Sequence, residues 1–448
     1  MIKPTETKNR IRLFILAGAI FLVCYVLQLN LAIPLFLFCL LVYLKLQTNS
    51  KKYGLLNIAL LFIITFVTGY FIIKKGWPIY FIPFCAIPML TALLFNQLDL
   101  SLIVTLASAV VIASITGNNL YLCLLFFIGG VASSILIRGG RRRRIAIIRI
   151  GLVAGVLQAV TLFFIEQFSV NRIDIIFPVK YLFFILNGVV SSIIVIGVLP
   201  VFEYLFKTAT DISLLELADF RHPLLQRMVL EAPGTYHHSL VVGNLSEAAC
   251  DVIGANALLA RIGAYYHDIG KLQKPDYFSE NQVIKESKHD TLSPMMSRLV
   301  IMNHIKEGVE LANKYKLNPR LIDFIQQHHG DSLVYYFYRR ALEGLEEDQQ
   351  IKEDGFRYPG PKPNTKETAV VLLADSVEAA TRALKEPTPK KVEEAVHKII
   401  NNKFIDGQLD ECELTLKDLE KISAVFIRIL SGIYHSRITY PESNESLK

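Results

Sequence analysis

The sequence predicts an all-α protein made of two unlike halves, a polytopic helical membrane domain followed by an all-α helical bundle. Three observations carry that reading. Of 448 residues, 52% are hydrophobic and only 19% charged, whereas an ordinary soluble chain carries about 25% charge. The charge is also divided unevenly, with 17 Lys/Arg and 5 Asp/Glu in residues 1–206 against 30 and 35 in residues 207–448. Finally, all ten histidines lie beyond residue 221, in segments with helical apolar spacing and no persistent strand alternation.

In the first half, apolar runs suited to crossing roughly 30 Å of hydrocarbon fall near 12–28, 31–46, 54–73, 79–97, 101–116, 119–137, 146–165 and 181–206. The first reads as a span rather than a cleaved leader, because its apolar core runs into the next span with no small-residue cleavage site after it. Lys3, Lys8, Arg10 and Arg12 precede span one, Lys51 and Lys52 follow span two, and Arg138 with Arg141 to Arg144 follow span six. With eight spans these clusters share one side, and the excess of basic residues marks that side as cytoplasmic; Lys74 and Lys75 are the exception. The expectation is a multi-pass protein of the cell membrane, in contact with lipid, with its N-terminus and second half in the cytoplasm. Ionisable residues within the spans form no proton relay or gating series, and no internal repeat supports a transporter. Glu203 stands at the inner end of the last span, where it can reach water.

Residues 207–232 read as a connecting helical segment broken at His222–Pro223, since the residue before proline is pushed out of the helical region. From 233 to 448 the chain reads as a helical domain, with helices over 237–249, 257–267, Arg320 to His329 and Thr368 to Leu384. The mild acidity of this half excludes a polymeric nucleic-acid partner, which requires a basic stripe. Six scattered cysteines without CxxC or framework spacing exclude a secreted disulfide scaffold.

The histidines are ordered. Tyr-His-His occupies 236–238, Tyr-Tyr-His-Asp-Ile-Gly-Lys 265–271, Asn-His 303–304, His-His-Gly 328–330 and Ala-Asp-Ser 374–376. Neutral imidazoles and carboxylates are ligands for Mn, Fe, Ni or Zn, and no cysteine pair points to a structural zinc site. An adjacent His and Asp offer an imidazole and a carboxylate able to bridge two ions, and a metal pair activates water against a phosphodiester. Adjacent helical positions diverge by about 100°, so His237 beside His238 reads as a structural residue or one that supports a ligand, not as a ligand itself. His222, His397 and His435 read as packed or surface residues, and His289 as a loop histidine near the site.

At these residues the sequence resembles the HD-domain phosphohydrolases, named for the pair His267–Asp268. Five stretches are similar to the membrane-bound PgpH-type enzymes: Gly234-Thr-Tyr-His-His-Ser, Ala264-Tyr-Tyr-His-Asp-Ile-Gly-Lys, Gln327-His-His-Gly, Tyr358-Pro-Gly-Pro-Lys and Leu373-Ala-Asp-Ser-Val-Glu-Ala-Ala. The resemblance implies a dimetal phosphodiesterase that hydrolyses cyclic di-AMP to pApA with metal-activated water, using two divalent transition-metal ions, Mn or Fe. Carried over residue by residue, it implies that His238, His267, Asp268 and Asp375 hold one ion. Asp268 bridges to a second, completed by His304, His328 and His329. Lys271 is then placed to touch a phosphate oxygen, and Tyr236 and Asn281 stand near the substrate.

The sequence departs from that family in two places. Residues 29–30 alone separate spans one and two, where such proteins carry a large outer domain, and the Gly-Tyr-Pro element of enzymes acting on cyclic di-GMP is replaced by Arg357-Tyr358-Pro359-Gly360. The alternatives are hydrolysis of cyclic di-GMP or another nucleotide, or a non-catalytic cyclic-dinucleotide receptor. A homo-oligomer is compatible with any of these.

Overall fold

The computed structural model describes residues 55–434 apart from 118, 140–142, 169–178, 283–286 and 345–350. The spans expected at 12–28 and 31–46, and His435, lie outside the described residues. Among those described the chain is helical with no strand, and Leu333 and Arg357 form an isolated bridge. Two compact units divide after Ile212.

The first unit contains α1 (Leu55–Lys74), α2 (Ala86–Phe95), α3 (Leu98–Ile115), α4 (Leu120–Gly139), α5 (Arg144–Phe168) and α6 (Val179–Phe206). All except α2 are long and apolar enough to cross a membrane. The segment 79–97, expected as a full span, is instead a 3-10 turn at Ile79–Phe81 followed by the short α2. A helix of that length rises about 15 Å, half of what the hydrocarbon layer requires. The cause is Pro78 and Pro83, which lack N–H groups and hold the residues before them extended.

The irregular stretch leaves carbonyls without helical partners. Asn187 of α6 answers them, donating its side-chain amide to Tyr80 O at 2.6 Å and Ile82 O at 3.1 Å. Non-helical backbone persists at membrane depth only where protein groups satisfy it in this way. The contact between α5 and α6 is made by small residues. A Cβ on Gly188 would strike Gly151 O, one on Gly151 would strike Gly188 O, and one on Gly155 would meet the backbone at Phe184 and Ile185. Ser192 Oγ crosses the same seam to Ile147 O at 2.9 Å. Small residues four apart let membrane helices approach backbone to backbone. At the end of α6, Glu203 is buried rather than reaching water, and its carboxylate accepts from Thr210 N at 2.7 Å.

The short α7 (Asp211–Leu217) leads into the second unit, which comprises α8 (Pro223–Glu231), α9 (Pro233–Val252), α10 (Ala257–Tyr266), α11 (Pro294–Lys314), α12 (Pro319–Gln327), α13 (Tyr335–Glu343), α14 (Lys366–Arg382), α15 (Pro389–Ile405) and α16 (Leu416–Ile433). The expected break at His222–Pro223 is where α8 begins. Helix starts are written in the sequence: proline opens α8, α9, α11, α12 and α15, where its missing N–H is no loss. Asn256, Ser293, Asn318 and Thr388 cap neighbouring backbone N–H groups, and Thr365 and Thr415 form reciprocal caps with Thr368 and Asp418. Helix α14 is the axis of this unit. Val370, Val371, Leu372, Leu373, Ala374 and Val377 are fully buried, with α9, α10, α12, α15 and α16 packed around them. A helix apolar on nearly every side belongs in the middle of a bundle, and this one carries Asp375 into it.

The α5–α6 seam gives a direct test. Gly188→Val places methyl groups against the Gly151 carbonyl, so the helices must separate, at a cost of about 1–3 kcal/mol. Thermal unfolding of the full chain in detergent should fall by several degrees; an unchanged transition would show that the two backbones are not in contact.

Candidate metal centre

Five helices deliver the ordered His/Asp set to one place. His238 comes from α9, His267 caps the C-terminus of α10 with Asp268 next to it, His304 lies on α11, His328 and His329 follow α12, and Asp375 lies on α14. His238, His267, Asp268, His304, His328 and Asp375 are buried, and His329 is only partly so. Neighbouring His237 is exposed, as the helical divergence of adjacent positions requires. The ligand atoms form two groups, His238 with His267 and Asp268, and His304 with His328 and His329, each within 4.8 Å.

Asp268 joins the groups. Its Oδ2 lies 3.2 Å from His267 Nε2 and 3.7 Å from His238 Nε2, while its Oδ1 lies 3.5 Å from both His304 Nε2 and His328 Nε2. Asp375 faces the same space, with Oδ1 3.1 Å from His238 Nε2 and 3.9 Å from His267 Nε2, and Oδ2 3.5 Å from His329 Nδ1.

The other ring nitrogens decide what these atoms offer. His267 Nδ1 donates to Ala264 O at 2.6 Å, His304 Nδ1 to Ile301 O at 2.6 Å, and His328 Nδ1 to Ile325 O at 3.0 Å. Carbonyl oxygens only accept, so each Nδ1 carries a proton, and whenever the ring is neutral it is Nε2 that presents a lone pair. His238 Nδ1 donates to Glu378 Oε2 at 2.5 Å, and its Nε2 lies 3.1 Å from Asp375 Oδ1, so the two carboxylates favour a proton on each nitrogen of this ring when no cation is bound. The consequence is an arrangement that repels itself. His304 Nε2 and His328 Nε2 face each other at 3.1 Å, and His267 Nε2 faces a carboxylate that it can approach only as a cation or with a cation between them. His267 Nε2 and Asp268 Oδ1 are buried without a hydrogen-bond partner, and Asp268 Oδ2 has the Lys271 ammonium beside it. Electron pairs concentrated in this way, out of water, fit divalent cations held by imidazole and carboxylate donors.

The protonation tendencies divide the rings into two kinds. Burial pushes His304 down to about 4 and His329 well below its ordinary range, so both are neutral imidazoles at pH 7. Burial opposes protonation of His267 as well, but Asp268 and Asp375 raise it to about 10, so a cation there competes with a proton. Burial would raise Asp268 and Asp375, yet charged and hydrogen-bonding neighbours, His267 and Lys271 for Asp268 and His238 and His267 for Asp375, hold both well below the usual carboxylate range.

Lys271 is not a solvated lysine. Its Nζ lies 2.7 Å from Asp268 Oδ2 and 2.7 Å from Glu280 Oε1, and its charge sits 5.0 Å from the Phe278 ring centre. Asn281, expected near substrate, spends its amide elsewhere: Oδ1 accepts from Thr235 N at 3.0 Å, and Nδ2 donates to Thr235 Oγ1 at 2.9 Å and Pro275 O at 3.3 Å. That residue pins the 279–281 turn onto the start of α9. Close packing there requires Gly234, whose Cβ would strike Glu280 O. The Tyr236 ring lies edge-on to Phe220, with centroids 6.1 Å apart. His289 is buried against Phe337 and donates from Nε2 to Tyr277 O, 2.9 Å away. His222 is packed on Tyr266, and His397 is exposed.

Two contributors had not been given roles from the sequence. Glu378, one helical turn beyond Asp375, orients His238; the turn spacing was the available signal. Tyr358 stacks on His329 with centroids 4.4 Å apart, a contact between residues 29 positions apart that no local pattern announces.

Residues 9–210 match the family described as "7TM receptor with intracellular HD hydrolase", and residues 235–380 match the HD domain. The chain is similar to the cyclic-di-AMP phosphodiesterase PgpH of Bacillus subtilis (strain 168), at 40% identity over 376 residues, covering 82% of this chain and 52% of that one. It is similar to the cyclic-di-AMP phosphodiesterase PgpH of Listeria monocytogenes serotype 1/2a (strain 10403S), at 37% identity over 407 residues, 90% of this chain and 55% of that one. A crystal structure of the L. monocytogenes phosphodiesterase PgpH HD domain in complex with cyclic-di-AMP is 46% identical and covers 48% of this chain and 100% of its own, with a TM-score of 0.47. The chain thus spans about half the length of the curated relatives it matches.

Two substitutions away from the ligands test the centre. Glu378→Ala frees the His238 ring and should weaken divalent-metal binding about 10- to 100-fold, read by competition against a chelating dye. Gly270→Ala drives a Cβ into His304 O and towards Gly308 N, displacing α11, and should lower the metal bound per chain after dialysis. Wild-type metal content in both variants would disprove this account of how the ligands are held.

Proposed function

Because the chain belongs to the membrane-bound HD-domain family of the PgpH type, we propose that it is a dimetal phosphodiesterase that hydrolyses cyclic di-AMP to the linear dinucleotide pApA. The observation that carries the reading is the placement of Asp268, with one oxygen turned to each histidine group. His238, His267, Asp268 and Asp375 would hold one ion, and Asp268, His304, His328 and His329 the other. When bound, such a pair supplies an activated water and neutralises charge on the phosphodiester.

The protein's own groups do the rest. Asp268 stays ionised because Lys271 and the surrounding histidines favour its charge, and Lys271 fixes its orientation. Two of the three N–H donors of that ammonium are engaged by Asp268 and Glu280, which leaves one for a phosphate oxygen. Glu378 and the backbone carbonyls keep the rings aimed. His329 is the least buried of the seven residues, and with Tyr358 stacked on it this side is where substrate would enter. The choice of cyclic di-AMP rests on the two similar phosphodiesterases and on the absence of the Gly-Tyr-Pro element.

Orientation follows from a local count. The basic block Arg138 to Arg144 joins α4 to α5, and two spans later α6 ends on the same face. The excess of basic residues marks that face as cytoplasmic, where a nucleotide substrate would be met. Residues 207–232 would connect the membrane half to the catalytic half.

Purified full chain in detergent, supplied with Mn or with Fe under reducing conditions, should convert cyclic di-AMP to pApA faster than it cleaves cyclic di-GMP. Chelation should stop turnover, re-addition of metal should restore it, and Asp268→Ala should abolish it. Chromatography of the products decides; tight binding with no turnover in either metal would instead identify a receptor.

A further inference from the structure

The last turn of α15 reverses the usual distribution of side chains. Phe404 and Ile405 are 49% and 80% exposed, while Lys403 beside them is turned inward and only partly exposed. A lysine in the last helical turn favours the macrodipole equally well from solvent, so the dipole does not explain this inversion.

The Lys403 Nζ donates to Ser332 Oγ at 2.7 Å. Ser332 belongs to the open flank of the metal centre: its N–H bonds His329 O at 3.1 Å, and its carbonyl accepts from Tyr358 N at 3.0 Å. His329 Nδ1 in turn lies 3.5 Å from Asp375 Oδ2. The nearby carboxylates are committed to other partners. Asp406 pairs with Arg357 at 2.8 Å, Asp331 faces Lys362 at 3.7 Å, and Gln408 donates to both acids. Lys403 therefore has no carboxylate of its own. Burial holds its pKa below the ordinary lysine range although Asp375, Asp406, and Asp331 pull the other way and Arg357 adds to the lowering. A desolvated cation without a counter-ion is costly, and an arriving anion would offset that cost.

We infer that Lys403 is a phosphate-binding residue of the substrate site, taking a phosphate oxygen of the phosphodiester on the His329 side while Lys271 serves the Asp268 side. This rests on the phosphodiesterase reading for its substrate, but not for its anion chemistry. Two cations on different flanks suit a ligand carrying two phosphates.

The test uses the full chain in detergent with Lys403→Met, Lys403→Gln and Lys403→Arg. Losing a charge-assisted hydrogen bond should raise KM for cyclic di-AMP about 10- to 100-fold with kcat nearly unchanged. Inorganic phosphate, titrated calorimetrically into the metal-loaded chain, should lose affinity in parallel. Lys403→Arg should recover most of both, and metal content should be that of the wild type. The melting temperature of Lys403→Met should hold or rise, since a largely buried charge with no carboxylate partner has been removed. Unchanged KM and phosphate affinity in the Met and Gln variants would overturn the assignment. A fall in metal content with activity, unrescued by Arg, would also overturn it and make Lys403 a support for the 328–332 loop. If wild-type chain leaves cyclic di-AMP intact yet binds phosphate through Lys403, the substrate reading fails and this one stands.

Discussion

Imidazole nitrogens and carboxylate oxygens converge between the helices of the second unit, six of the seven side chains buried and all of them crowded on one another. Left alone, such an arrangement is unfavourable, because buried polar atoms without partners forfeit their hydration and like partial charges repel. Much of the unit can be read as the means of holding it together. The carbonyls of Ala264, Ile301 and Ile325 each remove a choice of tautomer, because they accept a proton from one ring nitrogen and thereby aim the other. Glu378 does the same for His238 with a charge. Each of these anchors lies on the same helix as its histidine or on α14, so helix geometry and ring orientation are set together.

Close approach of backbones supplies the remaining precision. Gly270 lets the turn after Asp268 lie against α11 at His304, and Gly234 lets the 279–281 turn lie against the start of α9. Glu280 and Asn281, carried by that turn, tie Lys271 and Thr235 into the same mesh. The geometry of the site thus depends on residues with no side chain as much as on those with ligating ones. The apolar body of α14 stabilises the whole by burial, and that burial offsets the cost of holding Asp375 and Glu378 in its midst.

The first unit solves the related problem of placing polar backbone in an apolar medium. Where Pro78 and Pro83 interrupt the helix, Asn187 supplies the donors that the chain itself lacks. Where α5 and α6 meet, glycine removes the side chains that would keep them apart, and Ser192 bonds across the contact. Neither arrangement follows from hydropathy, which sees only that both stretches are apolar.

The all-α class, the membrane half and the identity of the ordered His/Asp set were legible in the sequence, because apolar run length, helix-start residues and the adjacency of His267 and Asp268 are local properties. Proline bears on segment 79–97, yet apolar length alone gives that segment the look of a full span. Asn281 looked available because its partners, Thr235 and Pro275, are set by a turn packing on a distant helix. Glu378 was within reach of the sequence as a position one turn from Asp375, but its partner His238 is 140 residues away. What the sequence by itself determined was which residue types are present and which helices carry them. Only the tertiary structure decided that the two Asp268 oxygens part between two histidine groups, that Tyr358 lies on His329, and that Lys403 turns inward. Those are relations between helices remote in the chain, and burial, close backbone contact and the satisfaction of polar atoms select them jointly.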